Sequence, residues 1–300
     1  MFDIIGDIHG HADELELLLK KLDYTKKKGV YSHPERKVLF VGDYIDRGPK
    51  IRETLEIVKS MTDNESAIAL MGNHEYNALC FDIKHPSGGH LRPHLIKNID
   101  QHYKTLKAFH GNQDEFKDYL TWLKSLPLYY ENEQFRAVHA CWNEDNIHVL
   151  KSISGQLSDQ LIYESTIEGT IMFRAFDQTL KGIELKLPDG MSWEDHEKNK
   201  RQEIRTRWWE NPRNMSYRDI SVENLAQLPD IPVNLNDLPT SDYYHSNKPV
   251  FFGHYWLKGT PEVLKENVCC LDYSIAKGGK LVAYRFQEAG LLETKNLVYI

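Results

Sequence analysis

Apolar residues along this chain fall into short runs that stop at glycine and polar residues, and these runs alternate with stretches at helical spacing. "FDIIGD" reads as a short strand running into a tight loop. In "HADELELLLKKLDY", Leu15, Leu18, Leu19 and Leu22 share one helical face, with acidic residues early and lysines late, as a helix dipole favours. "RKVLFVGD" is a second buried strand ended by Gly42. "PKIRETLEIVKSM" is a second amphipathic helix with Pro49 at its first turn, and "SAIALMGNHE" a third strand entering a third helix. These strand–loop–helix units predict an α/β core whose polar clusters sit at the C-terminal ends of strands, where open α/β sheets place ligands.

Farther on, "KNIDQHYKTLKAFHG" and "DEFKDYLTWLKSLP" read as helices and "FRAVHAC" as another strand. From Ser154 to Lys248 the character changes. "MSWEDHEKNKRQEIRTRWWENPRNMSYRDI" is highly charged with paired tryptophans, and "LPDIPVNLNDLPTSDYYHSNKP" is rich in proline and asparagine. We read 154–248 as an insertion or cap within a single domain spanning 1–300. "PVFFGHYW", "NVCCLDYS", "KLVAYRF" and "NLVYI" then resume the strand rhythm.

Composition narrows the class. Three hundred residues, 41% of them hydrophobic, suit one large core with an inserted subdomain. A formal charge of -7 gives no general case for a stable nucleic-acid complex or an anionic membrane surface, although metal ions can reverse the potential inside a site. Cys80, Cys141, Cys269 and Cys270 lack C-x-x-C spacing and read as reduced core thiols. No apolar run reaches the length of a membrane span, and no signal-like segment precedes Asp3, so a cytoplasmic enzyme is expected. Nothing in the pattern fixes an oligomeric state.

The polar clusters require a common explanation. Asp7 and His9 occupy "GDIHG"; Asp43, Asp46 and Arg47 occupy "GDYIDRG"; Asn73, His74 and Glu75 occupy "GNHE"; His139 and His254 stand alone in "VHA" and "FGH". One such cluster could be a turn or a cap. Asp, Asn and His placed repeatedly after apolar strands converge on one sheet edge and offer carboxylate, imidazole and amide oxygen, a mixture suited to divalent metals. Asp43 is the best bridging candidate, because its two oxygens can bind two ions about 4 Å apart. Asp7 and His9 would then hold the first ion, and Asn73, His139 and His254 the second. Glycines at Gly6, Gly42, Gly48 and Gly72 would allow the backbones to approach closely.

In order and spacing, these motifs resemble the calcineurin-like metallophosphoesterase superfamily, nearest the branch of serine/threonine protein phosphatases and symmetrical diadenosine tetraphosphatases. The likeness covers roughly residues 1–140 and 249–286. It implies a four-layer α-β-β-α sandwich with two mixed β-sheets. It assigns Asp7, His9 and Asp43 to one metal, and Asp43, Asn73, His139 and His254 to the other. It further implies that His74, oriented by Asp46, protonates the leaving oxygen while Arg47 grips phosphate. Two departures matter: "GHYW" puts Trp256 where many members carry a further histidine, and "HACW" replaces the two glycines usual in protein phosphatases. The additional arginine and tyrosine phosphate contacts of that branch find no clear counterpart in Arg174, Arg207 or Tyr273.

The expected activity is phosphoester hydrolysis by a metal-activated hydroxide, with two divalent or transition ions, Mn²⁺ first and Fe, Zn, Ni or Co as alternatives. Phosphate monoesters or phosphoproteins are the first substrate class. Dinucleoside polyphosphates such as diadenosine tetraphosphate come next, and a non-enzymatic metal-binding scaffold is a distant third. Other residues admit two readings. Glu75 is either a hydrogen-bond support for the site or a first-turn carboxylate of its helix. His11 is read as a cap, and Asp272 as a tie between the last strands and the site. Trp208 and Trp209 are expected in a small core of the cap rather than stacked on a base. The charged run Lys198–Arg207 is expected to be a solvated helix face rather than a polyphosphate contact, and His85, His90 and His94 are read as loop histidines.

Overall fold

The computed structural model describes residues 1–188, 190–194, 198, 200–223, 225–238, 248–288 and 290–300. Along the chain run β1 (Phe2–Ile5), α1 (Ala12–Lys21), β2 (Thr25–Lys27), β3 (Val30–Ser32), β4 (Lys37–Phe40), α2 (Ile51–Asp63), β5 (Ala67–Ala69) and α3 (Asn73–Asp82). Then come α4 (Ile96–Ala108), α5 (Gln113–Leu123), β6 (Tyr129–Glu131), β7 (Arg136–Val138), α6 (Glu144–Lys151), α7 (Asp159–Glu164) and α8 (Ile171–Lys181). The inserted region holds β8 (Glu184–Lys186), β9 (Trp193–Glu194), β10 (Lys200–Arg201), β11 (Glu203–Arg205) and α9 (Tyr217–Ile220). The chain closes with β12 (Val250–Phe252), β13 (Val268–Cys270), β14 (Asp272–Tyr273), β15 (Lys280–Phe286) and β16 (Leu297–Tyr299).

Neighbouring residues of β1 point to opposite sides of a sheet, and that alternation builds the layers. β1 runs parallel to β4 and antiparallel to β15 in a mixed sheet ordered β14-β15-β1-β4-β5, with β16 on β15. Ile4, Leu39 and Leu70 face a second mixed sheet, β13-β12-β7-β6, where they share a core with Phe135, Ala137 and Phe251. Aromatic contacts cross this seam, Phe251 to Tyr284 and Phe135 to Phe286. Ile5, Val38 and Phe40 turn the other way and join Leu15 and Leu18 of α1 and Leu55 of α2. On the second sheet, Val250 and Phe252 belong with Leu150 of α6 and Leu180 of α8. The result is an α/β sandwich of two mixed sheets flanked by helices, as the motif resemblance implied.

Within 154–248 two kinds of structure occur. Helices α7 and α8 bury Ile162, Ala175 and Phe176 in the main core. The segment after α8 builds a separate cluster from Leu185, Leu187, Trp193, Ile204, Tyr217 and Val233. Two expectations change here. Trp208 and Trp209 are buried in the main core instead, against Phe252 and Tyr255, and Trp208 Nε1 donates to the Ala140 carbonyl at 3.0 Å. A buried side chain of this size contributes about 1.5–3 kcal/mol, so the pair pins the small lobe to the sandwich. The run Lys198–Arg207 contains strands rather than a helix: β11 pairs antiparallel with β8, and Ile204 alone of Glu203–Arg205 is buried, a period of two. Residues 239–247 of the proline- and asparagine-rich stretch lie outside the described residues.

Candidate metal centre

β1, β4 and β5 run parallel in one sheet, and β7 and β12 run parallel in the other. Each polar cluster follows the C-terminal end of one of these strands, so side chains distant in sequence meet along one edge of the sandwich. The loops after β1 and β4 are zipped together by backbone: Ile8 and His9 N–H donate to the Asp43 carbonyl, and Gly10 N–H to that of Tyr44. His9, Asp43, Asp46, Arg47, His254 and Trp256 all have φ between 47° and 70°. Non-glycine residues adopt this left-handed region only when surrounding contacts hold them there. Gly42, at φ 113°, lies where a Cβ would come 2.7 Å from the Gly72 backbone, so the loops after β4 and β5 touch main chain to main chain.

Asp43 stands between two groups of potential ligands. His9, Asp43 and His74 present ligand atoms within 4.8 Å of one another, as do Asp43, His139 and His254. Asp43 Oδ2 is 3.5 Å from His9 Nε2, while its Oδ1 is 3.5 Å from His139 Nε2. Asn73 Oδ1 joins the second group, 3.0 Å from His139 Nε2 and 2.8 Å from His254 Nδ1. Asp7 is outside both close groups; its Oδ2 accepts from His254 N–H at 3.0 Å and its Oδ1 is buried without a partner.

The donor chemistry fits cations. His9 Nδ1 faces the Ile45 carbonyl and His139 Nδ1 the Val41 carbonyl, so each Nδ1 donates and each neutral ring turns a lone pair on Nε2 inward. His9 Nε2, His254 Nε2 and Asp7 Oδ1 are buried and unpartnered, and the Nε2 lone pairs of His9 and His139 face the oxygens of Asp43, acceptor to acceptor. Burial pushes the His9 ring down to about 4 and also lowers His139 and His254. Burial, with Asp272 and Asp43 nearby, raises Asp7 well above the ordinary carboxylate range. Bound cations would relieve both strains, since they favour neutral imidazoles and ionised carboxylates.

Beside this centre His74 is paired with a second carboxylate. Its Nδ1 donates to Asp46 Oδ2 at 2.6 Å. Burial alone would disfavour the imidazolium, yet Asp43 and the Asp46 contact outweigh it and raise the ring to about 9. Asp46 also accepts from His102 Nδ1 at 2.8 Å and Thr105 Oγ1 at 2.5 Å. Burial would raise its pKa, but the His102 and His74 contacts prevail and hold it below the usual carboxylate range. Arg47 is exposed on the rim, its guanidinium 5.3 Å from the Trp256 ring centre, and Lys277 Nζ lies 4.0 Å from the same ring.

The ambiguous residues now have places. Glu75, fully buried, accepts from the N–H groups of Asp43, Tyr44, Ile45 and Gly72, so it supports the site from the first turn of α3 and both readings hold. Asp272 accepts from Trp256 and Ser274 N–H and ties β14 to the loop after β12. His11 occupies the N-cap position of α1, but its ring bonds the Ile8 carbonyl instead of a helix N–H. His90 and His94 stack on each other and His94 on Phe81, outside the ligand groups. Tyr273 is bonded to Glu262 and Arg207 to the Asp219 carbonyl. The sequence reading missed His102 and Thr105, whose only signal is a shared face of α4, and Arg205, whose Nη1 donates to the His254 carbonyl at 3.1 Å. All four cysteines are buried free thiols.

Comparison with known proteins identifies the family. The sequence profile of the family described as calcineurin-like phosphoesterase matches residues 1–220. Over 74 residues, 24% of this chain, the sequence is 49% identical to the asymmetrical bis(5'-nucleosyl)-tetraphosphatase PrpE of Halalkalibacterium halodurans, and the match spans only 30% of that relative's length. Across 95% of both chains it is 25% identical to the symmetrical bis(5'-nucleosyl)-tetraphosphatase of Vibrio campbellii. A solved cold-active protein tyrosine phosphatase is similar at a TM-score of 0.51 and 16% identity, over 95% of this chain and 73% of that one, a likeness of fold alone.

Proposed function

The chain belongs to the calcineurin-like phosphoesterase family, and on that premise we propose that it is a two-metal phosphoester hydrolase, supported by Mn²⁺, that cleaves dinucleoside polyphosphates. The observation that carries the reaction class is the position of Asp43, whose two oxygens face His9 on one side and His139 on the other. Asp7, His9 and Asp43 would hold one ion, and Asp43, Asn73, His139 and His254 the other. Two such ions would supply charge to neutralise the phosphoryl group and would bring the ionisation of attacking water near neutral pH. His74, its Nδ1 fixed on the Asp46 carboxylate, is the group beside the centre that would give an Nε2 proton to the leaving oxygen. Arg47 offers a planar fork to phosphate oxygens from the rim. Glu75 holds the Asp43 loop through three backbone N–H contacts and joins it to the loop after β5 through a fourth, from Gly72.

For the substrate, the sequence alone favours phosphate monoesters and phosphoproteins. Similarity along nearly the whole length of a symmetrical bis(5'-nucleosyl)-tetraphosphatase supports the nucleotide reading over that one. The test is hydrolysis of diadenosine tetraphosphate, a phosphopeptide, a mononucleotide and a phosphodiester with Mn²⁺, with products quantified, and again after chelation. Diadenosine tetraphosphate should be turned over fastest, and chelation should abolish all activity. Rapid hydrolysis by metal-free protein would overturn the mechanism; preference for the phosphopeptide or the diester would overturn the substrate.

A further inference from the structure

The neighbourhood of His74 includes a pocket to which the mechanism above assigns no occupant. It has a volume of about 120 Å³, and its lining includes Asp46, Arg47, His74, Asn77, Arg92 and His102. Arg92 is half-buried. Its Nη1 donates to Asn77 Oδ1 at 3.0 Å and its Nη2 to Gln101 Oε1 at 2.6 Å, both neutral acceptors. Among the described residues no carboxylate lies within ion-pair distance of Arg92 or Arg47. The one acid of the pocket, Asp46, is already engaged by His74, His102 and Thr105. His102 is 5% exposed, and with Nδ1 on Asp46 its Nε2 is buried without a partner.

The two neutral amides take up only two of the five N–H donors of the Arg92 guanidinium and leave its charge uncompensated, and partial burial makes that costly. An anion in the pocket resolves the imbalance, and a planar fork fits phosphate oxygens best. We propose that this pocket is a subsite for a phosphate group in the leaving half of the substrate, with Arg92 its principal ligand and Arg47 shared with the reacting phosphate. This rests on the dinucleoside polyphosphate reading and adds a reason for it. In the step served, water forms the new P–O bond and the bridging P–O bond breaks. The bond's electron pair stays on the bridging oxygen, which takes its proton from His74 Nε2, and the proton lost by water restores His74. The released group is a phosphate, and the subsite holds it as its charge grows. An alcohol released from a monoester carries no group for Arg92 to hold.

The subsite is tested apart from the substrate by inhibition. With the full chain loaded with Mn²⁺ at fixed free metal, p-nitrophenyl phosphate serves as reporter, and pyrophosphate and orthophosphate are compared as competitive inhibitors. In Arg92→Met the inhibition constant for pyrophosphate should rise about tenfold or more relative to that for orthophosphate, the cost of one charge-assisted contact. Arg92→Lys should recover part of the loss. Equal weakening of both inhibitors, or no weakening of pyrophosphate, would overturn the subsite. Failure of the unaltered chain to cleave diadenosine tetraphosphate would sink the substrate reading on separate grounds, because the inhibition ratio does not depend on it.

Discussion

At the scale of single residues, Asp43 and His74 sit side by side with different expected roles. Asp43 faces imidazoles on both sides, and burial is outweighed by His139, His74 and His9, which hold it below the usual carboxylate range. Asp43→Asn removes the negative charge that both ligand groups share. It should weaken metal retention by more than the roughly 10–100-fold that outer hydrogen-bond partners cost. Metal analysis after dialysis, with turnover alongside, checks this; full metal content and full activity in a folded variant would refute the bridging role. His74 belongs to a close group with His9 and Asp43, so geometry alone leaves it eligible as a ligand. Its Asp46 carboxylate partner favours a protonated ring and so the acid. His74→Asn should therefore keep its metal and slow substrates with poor leaving groups by about 10²–10⁴-fold, with a smaller loss on activated esters. Loss of metal in that variant would instead make His74 a ligand.

At the scale of elements, the strands that carry the site and the polar loops at their ends were legible in the sequence. Apolar runs ended by glycine and polar residues mark β1, β4, β5, β7 and β12, and the same ends carry the candidates that the structure gathers. His102 and Thr105 escaped notice because they lie inside a helix, where polar residues usually mean a solvated face. Their burial depends on α4 packing beside the Asp46 loop, a tertiary fact. The strands of the inserted region were obscured by charge: Glu203 and Arg205 flank a lone buried Ile204, and a single apolar position gives no period. Left-handed backbone at His9, Asp43 and His254 likewise has no sequence signature apart from adjacent glycines. One glycine shows how tightly the loops are set. A Cβ on Gly72 would lie 2.3 Å from both Asp43 N and Asp43 Oδ1. Gly72→Ala should destabilise the metal-free protein by about 1–3 kcal/mol and displace Asp43, seen as a lower melting temperature together with weaker metal affinity. An unchanged melting temperature would mean that the α3 entrance yields more easily than the contacts indicate.

At the scale of the whole molecule, the sheets, the second helical layer and the end of the inserted region must keep their places for the five strand ends to stay aligned, and Glu131 joins them far from the metal centre. From β6 its carboxylate accepts from Arg136 of β7 at 2.9 Å, from Lys248 beside β12 at 3.1 Å and from Lys151 of α6 at 3.3 Å. Burial would raise its pKa, but the Arg136 and Lys248 hydrogen bonds and charges prevail and lower it from 4.5 to about 2. A carboxylate depressed in the folded state contributes stability that is fully present above its unfolded value. That stability drains away as pH falls from 4.5 toward about 2, because the unfolded chain takes up the proton first. Glu131→Gln removes the charge at every pH. The variant should be less stable than the unaltered protein by on the order of 1 kcal/mol at about pH 6, a modest figure because the cluster is partly solvated. The gap should narrow at about pH 4 and continue to close at lower pH for as long as both proteins stay folded. Urea midpoints of the two metal-free proteins across this range measure it. A gap independent of pH would assign the effect of Glu131 to packing and hydrogen bonding, with no share for its charge.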